Sequence, residues 1–185
     1  MADAFEKPNT VEPAEAEGLV LRLAMRFGVG VGLVCALWMA GLQMAGGNGF
    51  GPKQLLAQLL VPLVAVASEW MLRRQLRPHR PGLGRSLGVG TLTVLIAALI
   101  SAISLVGLAY GAGEPALARH RAEVLEIVRA RQRENPKMQL SAAAQQQQVR
   151  NVANLNAGDM AISNFTQVLL LGLVLAIPAG IFLRE

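Results

Sequence analysis

Gly84-Arg85-Ser86-Leu87-Gly88 has the G-x-S-x-G spacing of a nucleophile elbow. In that device a strand runs into a sharp turn that exposes the serine hydroxyl, and a histidine and an acid complete the relay. Here Pro78, Pro81 and Gly82 precede the motif and a long apolar run follows it, so the expected structure is a small-residue entry into a helix. The two histidines of the chain, His79 and His120, both lie outside the apolar segments. Gly28-Val29-Gly30-Val31-Gly32 departs from G-x-G-x-x-G and follows no strand. Its glycines at i and i+4 instead suit close helix packing, a spacing repeated at Gly84/Gly88 and Gly107/Gly111. Cys/His metal spacing and a phosphate-binding loop are absent from the sequence. No catalytic, cofactor-binding or metal-binding residue is therefore assigned, and the expectation is a protein that is not an enzyme.

Other polar residues interrupt apolar stretches. Glu69 is the one acid inside a candidate span. Intramembrane acids are functional suspects because a charge in hydrocarbon costs at least a few kcal/mol. Arg73 lies four residues on, so an i, i+4 ion pair at the membrane interface is the expected role of Glu69. Gln58, Asn164 and Gln167 are expected to hydrogen-bond between helices. Asn164-Phe165-Thr166 has the glycosylation pattern but sits at a span entry, where it reads as accidental. Trp70, beside basic residues, suits the aromatic belt at the membrane surface; Trp38, in mid-span, is expected to pack. Cys35, the single cysteine, reads as a small buried apolar residue.

The elements that must position these residues are set by hydropathy. Of 185 residues 53% are apolar and 16% charged, against roughly 25% charged in a soluble domain. A hydrocarbon core about 30 Å thick needs roughly 20 helical residues. Four segments qualify, at about residues 27–44, 55–72, 87–110 and 162–183. They must be helical, because hydrocarbon offers an open strand no partners. Pro62 and Pro178 are expected to kink them. The predicted fold is all-α: an integral membrane four-helix bundle with a helical extramembrane loop over 111–161. Residues 1–26 are read as an acidic cytoplasmic tail ahead of an uncleaved first span, since a signal peptide has a short basic leader.

The connections differ in charge. Residues 73–85 hold Arg73, Arg74, Arg77, Arg80 and Arg85 with no acid, and the positive-inside rule places that turn in the cytoplasm. Arg22 and Arg26 put the N-terminus on the same side, and four spans return the C-terminus there, in a cytoplasmic (inner) membrane. The net charge of +5 then reads as attraction to anionic lipid, with no nucleic acid partner. In the long loop Pro115 opens a helix to about Glu134, which Asn135-Pro136 should stop. Ser141 caps a second helix over 142–156, ended by Gly158, and Asp159 can cap the last span. Arg119 and Glu123 are placed to pair at i, i+4.

The third span (TVLIAALISAIS, 93–104), Tyr110, the Glu114-Pro115 start of a charged helix, the Leu140-Ser141 helix start and the glycine-bearing last span (LLGLVLAI, 170–177) carry a resemblance. Together they resemble a family of uncharacterised bacterial four-span membrane proteins, domain of unknown function 4199. The resemblance implies the architecture and transfers no functional residue. The expected function is that of a multi-pass membrane protein with a structural, accessory or interaction role. A protein partner or second copy would bind through the 111–161 loop or the Gly28/Gly32 face. The alternative is a subunit of a small oligomeric channel or transporter, which a polar stripe through several spans would favour.

Overall fold

The computed structural model describes residues 13–134 and 141–183. All regular structure among them is helical: α1 (Pro13–Met44), a 3-10 turn (Pro52–Gln54), α2 (Leu55–Gln58), α3 (Leu60–Leu76), α4 (Leu83–Glu134), α5 (Ala142–Ala153) and α6 (Ala157–Phe182). Four helical stretches are long and apolar enough to cross a membrane: Ala16–Met44, Pro52–Leu76, the first part of α4 and Ala157–Phe182.

α1 starts well before residue 27, so 13–26 is helix and not tail. Glu17, near the start of the described helix, favours the positive end of the helix dipole. Its buried residues Ala16, Val20, Ala24, Gly28, Val31, Cys35 and Met39 recur every three or four positions. Beyond Arg26 the other face is also apolar and outward, with Leu33 and Leu37 exposed, as lipid contact requires. The second span is broken at Leu59, between α2 and α3. Pro62 offers no N–H to the carbonyl of Gln58, which accounts for the break there. α6 runs on through Pro178 without interruption.

α4 is the centre of the bundle, packing against α1, α3 and α6. Contacts fix the directions. Gly28 abuts Thr93 and Ile96, Gly32 abuts Ile100 and Gly49 abuts Leu108, so α1 and α4 run parallel. Ser68 meets Thr93 on the antiparallel α3. Gly172 meets Val94 and Gly180 meets Leu87 on the antiparallel α6. Residue 13, the 77–82 turn and residue 183 therefore share one end, and the α1–α2 connection lies at the other. The Gly28/Gly32 close approach is real, but α4 fills it: a Cβ on Gly28 would lie 2.8 Å from the Thr93 carbonyl oxygen. That face is not free for a second copy. Gly84, Gly107 and Gly111 have nothing within 4 Å, so their spacing carries no such contact.

Beyond the bundle α4 continues as an arm. Gly113 breaks it with φ +73° and ψ −178°, a conformation essentially restricted to glycine, and Pro115 restarts the helix. Ser141 caps α5, accepting from the Ala144 N–H at 3.3 Å. α5 stops at Ala153 with Asn154 as its cap, earlier than expected. Gly158 ends nothing; it lies in the first turn of α6, where Asn156 and Asp159 form a reciprocal capping box. The expected stop at Asn135-Pro136 falls outside the described residues.

Candidate functional site

A column of polar side chains runs through the interior of the bundle. On α4, Ser86, Gly90, Thr93, Ala97 and Ser101 share one buried face, three or four residues apart. α3 turns Ser68 and Glu69 towards it, α2 contributes Gln58 and α6 contributes Asn164. Some of these groups are satisfied. The Ser101 hydroxyl donates to Asn164 Oδ1 at 2.8 Å, and Asn164 Nδ2 donates to Gln54 Oε1 at 3.1 Å, joining α4, α6 and the 3-10 turn. Thr93 Oγ1 reaches Val89 O at 2.7 Å and Ser68 Oγ at 3.1 Å, and Ser68 Oγ donates to Ala65 O at 2.7 Å. The interhelical role expected of Asn164 is present. Gln167 is only half-buried and makes no such bond.

Three members of the column are not satisfied. Glu69 is 0% exposed, and among the described residues neither carboxylate oxygen has a hydrogen-bond partner. The expected ion pair with Arg73 is not formed. At i+4 the two side chains could meet on a helix surface, but the rotation of α3 turns Glu69 inward, where it packs against Gly90 of α4. A Cβ at residue 90 would fall on Glu69 Oε1 and lie 2.8 Å from its carboxyl carbon. The missing side chain of Gly90 thus makes the space that the carboxyl fills. Ser86, one turn earlier on the same face, is 0% exposed with an unpartnered hydroxyl. Gln58 is equally buried and bonds nothing, contrary to its expected role.

The Ser86 hydroxyl has no histidine beside it. His79 is exposed in the turn, and His120 lies 34 residues along α4, roughly 50 Å at 1.5 Å per residue. Among the described residues no group of three or more His, Cys, Asp or Glu is placed to hold a metal ion. Arg73, Arg77, Pro78, His79, Arg80 and Pro81 line an open depression at the turn end. Trp70 is half exposed there, with the Arg74 guanidinium 5.7 Å from its ring centre, as an interfacial tryptophan should be. Trp38 is not packed inside: it is 41% exposed and donates to the Lys53 carbonyl at 3.0 Å. Cys35 is buried.

A second polar cluster joins the arm to the bundle. Arg119 donates to the carbonyls of Gly46 and Gly47, at 3.4 and 2.5 Å. Asn48 Nδ2 donates to Glu123 at 2.5 Å and lies 3.1 Å from His120 Nδ1. His120 also stacks, tilted, on Phe50 at 5.8 Å. Burial pushes the His120 pKa down, with the Glu123 charge opposing. The Arg119–Glu123 pair is therefore replaced: both residues serve the 46–48 turn, and Arg121 pairs with Glu114 and donates to Leu155 O at 2.9 Å. Sequence reasoning missed Asn48, whose glycine neighbours marked only a turn.

No curated protein and no solved structure matches this chain. A family profile described as a protein of unknown function (DUF4199) matches residues 26–185, which takes in the first span from Arg26, the other three spans and the arm. With its helical architecture and four span-like helices, this chain belongs to the DUF4199 family.

Proposed function

We propose that this chain is a non-catalytic protein of the bacterial cytoplasmic membrane, with both termini inside, whose arm engages a protein partner outside. The observation that carries this reading is the root of the arm. Arg119, His120 and Glu123 tie α4 to the 46–48 turn, so the arm leaves the bundle in one direction. A connection with no task needs no such anchoring. Arg129, Arg131, Arg133 and Arg150 are exposed beyond the root, which suits an acidic partner surface. The five arginines of 73–85 support the orientation. With Cys35→Ala as background, Ala130→Cys should react with an impermeant thiol reagent on intact cells and Arg80→Cys should not. A photo-crosslinker at residue 130 should join the chain to one discrete protein, and reversing Arg129, Arg131 and Arg133 to Glu should abolish the adduct. Adducts to lipid alone would end the partner reading.

A second reading is favoured by the polar column across α2, α3, α4 and α6. It makes the chain a subunit of a small channel or transporter, which four spans would build only as a homo-oligomer. A monomer in native-like lipid that passes no ion or solute in liposomes would exclude it.

A further inference from the structure

We infer that Glu69, seated against Gly90 inside the bundle, is a reversible proton-binding site that exchanges from the turn end of the molecule. This goes beyond both readings above, because binding a proton at one carboxyl requires neither a partner nor conduction.

The inference rests on placement. Glu69 is fully enclosed, and both its oxygens lack hydrogen-bond donors. A carboxylate in hydrocarbon or protein interior needs a counter-charge, donors or a proton. Among the described residues, the charged groups of the neighbouring elements are turned elsewhere. On α3, Arg73 and Arg74 do not pair with it. On α1, Glu17, Arg22 and Arg26 are exposed, and Cys35 packs in an apolar cluster with Val61 and Ala98. On α4, Arg85 is half-buried and forms no ion pair among the described residues. α6 has no titratable residue after Asp159. The remaining way to neutralise the group is a proton on the carboxyl itself. Gly90 argues that the position is built: only a residue without a side chain leaves room for the carboxyl at that level of α4. The turn end is the nearer end of α3, which stops at Leu76. Arg73, four residues on and about 6 Å along the helix axis, lines the open depression with His79 and Arg80. Ser86, the other unpartnered polar group on the facing side, lies between Gly90 and the same end.

Infrared spectroscopy of the full chain in lipid vesicles reads the proton directly. The expected result is a carbonyl band of a protonated carboxylic acid at neutral pH, absent in Glu69→Gln and lost reversibly on alkaline titration. No such band at neutral pH overturns the inference. So does a band that survives Glu69→Gln, or one that persists to strongly alkaline pH. Should Glu69→Gln fail to fold, wild-type protein with carboxyl-labelled glutamate replaces it. A band that shifts with the label and titrates then supports the site, and its absence overturns it. Proton flux across the same vesicles, measured separately, bears only on the transport reading.

Discussion

The two ends of the polar column are built differently. Towards the arm, Ser101, Asn164 and Gln54 form a chain of donors and acceptors that joins three elements. Towards the basic turn, Glu69 and Ser86 are as deeply buried and bond nothing. A satisfied network holds helices in register; an unsatisfied group has a cost that packing alone does not return. The first end reads as construction and the second as a place kept for something that comes and goes. Gln58 is the exception, an unpartnered group one turn from the satisfied chain.

Substitutions can break this contrast. The largest effect is expected at Asn164→Leu, which leaves the Ser101 hydroxyl and the Gln54 amide without their partner and should cost about 2–3 kcal/mol in unfolding from lipid or detergent. A loss under half that size would mean that the chain is not structural. Gly90→Ala comes next, at about 1–2 kcal/mol from overpacking against Glu69. Combined with Glu69→Ala, most of that loss should return, since the clash is with that side chain; additive effects would separate the two residues. Glu69→Leu should have the opposite sign to Asn164→Leu, leaving stability unchanged or raising it by about 1 kcal/mol, because an unpartnered carboxyl is exchanged for an apolar group of similar size. Destabilisation as large as that of Asn164→Leu would erase the distinction between the two ends.

The smallest effect concerns the arm root. The pKa of His120 is lowered in the folded protein, so the unfolded or detached state binds a proton first. The contribution of His120 is complete above its ordinary value of about 6.5 and is lost as pH falls below it. A spin label at residue 130 should gain mobility as pH drops through that range, and His120→Gln should flatten the response.

The spans were legible because hydropathy is additive along a chain. Helix facing is not. Glu69 and Arg73 are spaced to pair on any isolated helix, and only the rotation of α3 against α4 turns the acid inward. Gly90 stands in a run of small residues where nothing marks it as the seat for a carboxyl from another helix. A readable signal existed in α6, where Asn164, Val168, Gly172, Ala176 and Gly180 recur at every fourth position and form its buried seam. The apolar character of the whole segment hid it. The arm root depends on residues about 70 positions apart, Asn48 against His120 and Glu123, and spacing along the chain cannot reveal such a meeting.

Gly113 gives the arm one joint with the bundle, and the carbonyls of Gly46 and Gly47 give it another through Arg119. A rod held at one joint swings, whereas a rod held at two becomes a strut. Force applied to the arm would therefore be delivered into the α1–α2 turn instead of being spent in bending at the glycine. The helices on either side of that turn are then mechanically in series with whatever the arm holds.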